Sequence, residues 1–194
     1  TLDGVTVMAP VHTAPAFESP YVVDKPDGQG RATVKRDGVA LGQVRFPTRP
    51  RFYDLSTAEG VPYHHIATLH GRDVLATTVL QSCIRYQSRT KACQFCAIGQ
   101  SLAAGRTIAH KTPTQLAEIA KAAVELDGVK HMVMTTGTPR GPDRGAQVLA
   151  ESATAVKRAV YLPIQAQCEP PDDFGWFPRL RSAGVDALGM HIEV

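Results

Sequence analysis

The sequence has few of the features that mark membrane, secreted or nucleic-acid-binding proteins. It has no run of about 18 or more apolar residues that could span a bilayer. Residues 1–10 lack the basic segment and apolar core of a secretory signal. With 21 basic and 18 acidic side chains, its net charge is only +3, too small to indicate a nucleic acid or an anionic membrane as partner. We therefore expect a cytoplasmic protein that binds neither.

The 194 residues suffice for one domain with a small appendage, because 43% of them are hydrophobic and only 20% are charged. Proline and glycine recur throughout residues 1–70 and interrupt regular structure there. Within this stretch, Asp37-Gly38 between residues 31–36 and 39–45 is typical of a β-hairpin turn. We expect residues 1–70 to form a small β-containing extension and residues 71–194 to form the main domain.

Strands and helices alternate in the main domain. Strands are predicted at 73–80, 130–136, 160–167 and 187–194, with helices between them. One helix is expected to start after Thr112 and end at Gly128, because Thr112, Pro113 and Gln115 form a capping pattern. The alternation predicts an α/β fold with a parallel sheet or a (β/α) barrel. Since an edge left by a final parallel strand is normally buried, we expect a longer barrel or a second chain to cover it.

Three of the four cysteines, Cys83, Cys93 and Cys96, lie in the loop after the first core strand. Active sites of parallel α/β folds lie at the carboxyl ends of the strands, where this loop begins. Clustered cysteines without a secretory signal favour a metal or redox site over disulfides. Three thiolates could hold a [4Fe–4S] cluster with one iron left open. A zinc site completed by Cys168 or His110, or a reactive thiol pair, are the alternatives.

The cysteine loop resembles that of the radical S-adenosylmethionine (radical SAM) superfamily. That family has three cysteines after the first strand and an aromatic residue before the last one, here Phe95. Nine residues separate Cys83 from Cys93, where the family usually has three. Residues 71–79, 81–83 and 93–99 are similar to an uncharacterised branch, which is related in layout to biotin and lipoyl synthases and is found near nitrilase-type genes.

The resemblance implies a partial (β/α) barrel of the TIM type, truncated after about four strands. It also implies a [4Fe–4S] cluster held by Cys83, Cys93 and Cys96, with S-adenosylmethionine (SAM) on the fourth iron. Reductive cleavage of SAM would then give a 5′-deoxyadenosyl radical that abstracts hydrogen from a small-molecule substrate. An electron donor such as flavodoxin or ferredoxin would be required.

Further residues are expected to bind the cofactor. The resemblance places Thr135, Thr136, Gly137 and Thr138 at the SAM amino group, although the acidic residue of the family motif is absent. It places His191 and Glu193, on the fourth strand, at the SAM ribose. Polar residues that alternate along the third strand are expected to face a polar cavity, because their burial without partners is costly. These residues are Gln165, Gln167 and Glu169.

The sequence also leaves other interpretations open. His64, His65 and His70 have no cysteine or carboxylate partner at ligand spacing, so we expect them to pack in a loop or at the bottom of the barrel. Cys168 is expected to be a small buried residue. The alternative to an enzyme is a non-catalytic, zinc-stabilised α/β domain. No catalytic residue is predicted, and the oligomeric state cannot be read from the sequence.

Overall fold

The computed structural model describes residues 14–86, 88 and 90–190. The chain forms two compact units, Thr1–Arg49 and Pro50–Val194. The first contains helix α1 (Ala14–Phe17) and an antiparallel sheet of β1 (Tyr21–Val23), β2 (Arg31–Arg36) and β3 (Val39–Arg45). The predicted hairpin is confirmed, since Asp37 and Gly38 connect β2 to β3 with φ values of 48° and 82°, as a type I′ turn requires.

The second unit is built on a five-stranded sheet. Its strands, in spatial order, are β4 (Thr68–His70), β5 (Val74–Thr78), β6 (His131–Thr135), β7 (Ile164–Gln167) and β8 (Ala187–Gly189). Strands β5 to β8 are parallel, and β4 is antiparallel to β5. The predicted α/β fold with a parallel sheet is confirmed. Over residues 50–190 the sheet is open, so the predicted partial barrel corresponds here to an arc of strands.

Four helices accompany this sheet: α2 (Ile98–Ala103), α3 (Pro113–Asp127), α4 (Ala146–Ala159) and α5 (Trp176–Ser182). The predicted capping of α3 is confirmed. The Thr112 hydroxyl accepts from the Gln115 N–H, and the Gln115 side chain accepts from the Thr112 N–H. Gly128 ends the helix in the left-handed region, with φ 66°. No helix in the described part of the chain is long and apolar enough to cross a membrane.

The main domain begins earlier than the predicted boundary at residue 71, because residues 50–70 pack into its core. Two short 3-10 helices, Arg51–Asp54 and Tyr63–His65, bury Phe52 and Tyr63 there. The N–H groups of Arg51 and Phe52 donate to the Asp127 carboxylate at 2.9 and 3.0 Å. Strand β4 then pairs with β5. Prolines in this segment introduce 3-10 turns, which carry no helical or strand periodicity in the sequence.

The two faces of the sheet differ in polarity. Side chains that point toward the helices are apolar and buried, as the twofold alternation of strands requires; they include Leu75, Met132, Met134, Ile164 and Ala166. The intervening positions are half-buried and mostly polar at the carboxyl ends of the strands, including Thr78, Thr135 and Gln167. This second face carries the cavities described next.

Candidate cofactor site

The three clustered cysteines line one cavity of about 420 Å³ at the carboxyl ends of β5, β6 and β7. We call it the cysteine cavity. Cys83, Cys93 and Cys96 are half-buried. Seven of the ten predicted cofactor-binding residues line the same cavity: Phe95, Thr135, Thr136, Gly137, Thr138, Gln167 and Glu169. The rule that parallel strands gather their carboxyl ends at one edge therefore brings these positions together.

The donor chemistry of this cavity fits an iron–sulfur cluster, for which cysteine thiolates are the ordinary ligands. The sulfurs are not pre-assembled, however. Among residues 14–86, 88 and 90–190, no group of three or more His, Cys, Asp and Glu side chains is arranged to hold a metal ion. The thiols share a cavity, and metal binding itself would bring them onto a common centre.

The Cys83 end of the loop is attached to the ends of two strands. The Arg85 guanidinium donates to both carboxylate oxygens of Glu169 at 3.2 Å. The Ile84 N–H donates to the Thr138 carbonyl at 2.9 Å. The Cys83 sulfur accepts the Arg85 N–H at 3.4 Å. Cys83 is thus held against the segments that follow β6 and β7.

Glu169 lines the cysteine cavity, and its carboxylate is bound by Arg85. Burial alone would raise its pKa; hydrogen bonds from Arg85 and Thr138 outweigh that effect and lower the pKa. Glu169 also lies beyond the end of β7, in the following loop. Within this structure it anchors the cysteine loop.

Gly137 allows a close approach of backbones. A Cβ at this position would overlap the Ser82 carbonyl oxygen and lie 3.0 Å from Ile98 Cδ1. The family resemblance placed this glycine at the SAM amino group. In the structure the close neighbour is the residue preceding Cys83, so Gly137 lets the end of β6 pack on the cysteine loop.

Two threonines near Gly137, Thr135 and Thr136, have hydrogen-bonded hydroxyls. The hydroxyls of Thr78 and Thr135 lie 2.8 Å apart, across β5 and β6. The Thr136 hydroxyl donates to the Gly137 carbonyl at 2.9 Å. Thr138 is buried, only 4% exposed. These bonds fix the turn that the resemblance assigns to the SAM amino group.

The remaining predicted residues do not all reach the cavity. Gln165 is half-buried on β7, two residues before Gln167, and is absent from the lining of the cysteine cavity. It lies deeper along the strand, near Gly189 of β8, where its Nε2 is 3.4 Å from the position of an added Cβ. His191 and Glu193 lie outside the described residues.

A family model of the radical SAM superfamily matches residues 90–194, more than half of the chain. The chain belongs to the radical SAM superfamily. Radical SAM proteins generally use a [4Fe–4S] cluster and SAM, and membership indicates an enzyme. The match includes Cys93 and Cys96 and begins after Cys83. No curated protein matches the chain.

The radical SAM domain has a second cavity that the sequence did not predict. It measures about 470 Å³, and we call it the histidine cavity because His64, His65 and His70 line it together with Arg106. These histidines were expected only to pack. Three histidines within seven residues were the available signal, but the cavity depends on where β4 and α2 fold.

Lys111 is a second residue whose role the sequence did not indicate. Its side chain is buried, with 1% exposure, and its ammonium donates to Gln81 Oε1 at 3.1 Å. Burial lowers its pKa to about 8. Gln81 lines both cavities, so this buried amine lies behind their common wall.

Proposed function

We propose that this radical SAM protein holds its [4Fe–4S] cluster through Cys83, Cys93 and Cys96. The observation that supports this is their common exposure to one cavity beside the Thr135–Thr138 turn. When bound, the reduced cluster supplies one electron that cleaves the SAM sulfonium, giving methionine and a 5′-deoxyadenosyl radical that takes hydrogen from the substrate.

The other residues around the cavity would bind and orient SAM. The backbone groups of the Thr135–Thr138 turn would hold its amino group, because this turn is already fixed by hydrogen bonds. Phe95, 76% exposed, would cover the cofactor side of the loop. Gln167 offers an amide at the same cavity, and His191 and Glu193 remain predicted ribose contacts. Glu169 would act indirectly by holding Arg85.

The reaction also requires partners that complete it. We propose a small molecule as substrate and a reduced flavodoxin or ferredoxin as electron donor. Each cleavage of SAM consumes one electron from the reduced cluster. Such clusters can have low reduction potentials, which reduced flavodoxin or ferredoxin can match.

Zinc is the second candidate, because Cys168 lines the same cavity and could act as a fourth ligand. Burial, reinforced by the charges of Asp143 and Glu169, raises the pKa of the Cys168 thiol to about 11. Because a metal must displace the thiol proton before it binds the sulfur, this raised pKa weakens the metal affinity of Cys168 at neutral pH. His110, the other proposed zinc ligand, is exposed and is absent from the lining of the cavity.

The test compares Cys93→Ala with Cys168→Ala after anaerobic reconstitution with iron and sulfide. The wild type and Cys168→Ala are expected to bind about four irons, to show a brown colour that dithionite bleaches, and to form 5′-deoxyadenosine from SAM. Cys93→Ala is expected to lose iron and SAM cleavage. Colourless wild-type protein with stoichiometric zinc, or retained SAM cleavage in Cys93→Ala, would overturn the proposal.

A further inference from the structure

The histidine cavity adjoins the cysteine cavity on the same face of the sheet. Both cavities are lined by Thr78, Thr135 and Gln167 from β5, β6 and β7, and by Gln81 and Ser101. A molecule in the histidine cavity would therefore lie next to one in the cysteine cavity. Such adjacency is what hydrogen abstraction by a cofactor-derived radical requires.

The titratable side chains that line the histidine cavity are all basic. Four of its lining side chains are basic, namely those of His64, His65, His70 and Arg106, and none of its described lining residues is Asp or Glu. Arg85 and Arg144 each bind a carboxylate of this protein. In contrast, no ion pair joins Arg106 to another residue of the described chain, so its charge is available to a ligand.

The segment that carries Arg106 is fixed against the histidines. Helix α2 ends at Ala103, Gly105 follows it with φ 64°, and the Arg106 N–H donates to the Ser101 carbonyl at 3.1 Å. The Thr107 hydroxyl then donates to the His65 carbonyl at 3.1 Å, and the Ile108 N–H donates to the same oxygen at 3.3 Å. These bonds hold Arg106 and His65 on one wall of the cavity.

Further donors surround this wall. Thr68, Ser101, His64 and His65 line the cavity with Arg106; the Nδ1 atom of His64 lies 3.3 Å from the Tyr53 carbonyl oxygen. Guanidinium, hydroxyl and imidazole N–H groups are the donors that proteins use for carboxylate and phosphate oxygens. A neutral apolar ligand would displace water from the Arg106 guanidinium without offering an acceptor, which is costly.

We propose that the histidine cavity binds the substrate of this enzyme and that the substrate carries an anionic carboxylate or phosphate group, bound by Arg106 and His65. This inference rests on the proposed function, because it takes the neighbouring cysteine cavity as the cofactor site. The anionic group would hold one end of the substrate and leave the other end facing Thr78, Thr135 and Gln167.

The test uses the full chain and two probes, sodium acetate and sodium phosphate at equal anion concentration, with ionic strength balanced by chloride. Wild type is compared with Arg106→Gln, which keeps a long polar side chain, and with Arg158→Gln as the matched control. Arg158 is an exposed arginine in the last turn of α4. Ligand binding to the folded state raises the melting temperature, here by about 2–4 °C when the probe is present at about five times its Kd.

We expect stabilisation of the wild type and of Arg158→Gln, and loss of most of it in Arg106→Gln. The probe that stabilises more at equal concentration assigns the anionic group as carboxylate or phosphate. Equal shifts in all three proteins, or no shift in any, would overturn the inference.

A separate measurement keeps the two proposals distinguishable. SAM-dependent formation of 5′-deoxyadenosine is followed in reconstituted wild type and Arg158→Gln without any anionic probe. Its absence in both proteins would count against the cofactor site while the Arg106-dependent stabilisation still established an anion site. Its presence together with shifts that do not depend on Arg106 would reject the anionic substrate and keep the radical SAM function.

Discussion

Gly137→Ala probes the contact between the end of β6 and the cysteine loop. The added methyl group would overlap the Ser82 carbonyl oxygen, which is backbone and cannot turn away. To relieve this overlap, the end of β6 and the cysteine loop must move apart. Two hydrogen bonds flank the contact, from Gly137 N–H to Leu80 O and from Ile84 N–H to Thr138 O, both 2.9 Å long.

The expected cost follows from this geometry. Overpacking at a closely packed position destabilises a protein by about 1–3 kcal/mol. Weakening one of the flanking hydrogen bonds would account for about 1 kcal/mol of that range. For a domain of this size, such a loss lowers the melting temperature by about 2–12 °C. The strain falls next to Cys83, so iron uptake on reconstitution should decrease as well.

The assay is thermal unfolding followed by circular dichroism, with iron content measured after reconstitution. Gly28→Ala is the matched control, because no atom lies within 4 Å of a Cβ at that position. An alanine there should leave both values unchanged or raise the melting temperature slightly. Equal melting temperatures and iron contents in the two variants would refute the close-contact reasoning.

Two titratable groups give further predictions. Because the pKa of Glu169 is lowered by folding, its pair with Arg85 stabilises the protein above the unfolded pKa, and this stability is lost as pH falls through the folded pKa. Glu169→Gln should therefore melt about 2–4 °C below wild type at pH 7, and this difference should shrink as the pH falls below the ordinary glutamate pKa, which melting curves at neutral and acidic pH can check; a constant difference would contradict the pairing. Lys111 has a folded pKa of about 8, below its ordinary 10.5, so its burial destabilises the protein below pH 8 and this cost disappears as pH rises toward 10. The urea-unfolding free energy of wild type should therefore rise between pH 7 and 9.5, and Lys111→Met should remove this rise. Parallel pH profiles of the two proteins would argue against a buried charge.

Local chemistry made much of the fold predictable. The Asp37-Gly38 turn and the Thr112 capping box depend on residues within a few positions of one another, and both are confirmed. The alternation of strands and helices likewise predicted the parallel order of β5 to β8. The strand-end rule placed the cysteines and the Thr135–Thr138 turn at one edge, and they line a common cavity.

Features that depend on distant pairing could not be predicted. Glu169 binds Arg85 across 84 positions of sequence, so its partner is visible only in the fold. Residues 50–70 enter the core through Phe52 and Tyr63 without any periodic pattern. The 3-10 helix Tyr63–His65 and the segment after α2 meet at His65 beside the histidine cavity, and no spacing in the sequence indicates that contact.

The attachment of the Cys83 end has a consequence for the proposed [4Fe–4S] cluster, which oxygen would destroy. The bonds of Ile84 and Arg85 to Thr138 and Glu169 use no sulfur atom. Loss of the cluster in air would thus leave the Cys83 end of the loop attached. Reconstitution would then start from a partly retained site, and the apoprotein should be able to bind a new cluster repeatedly.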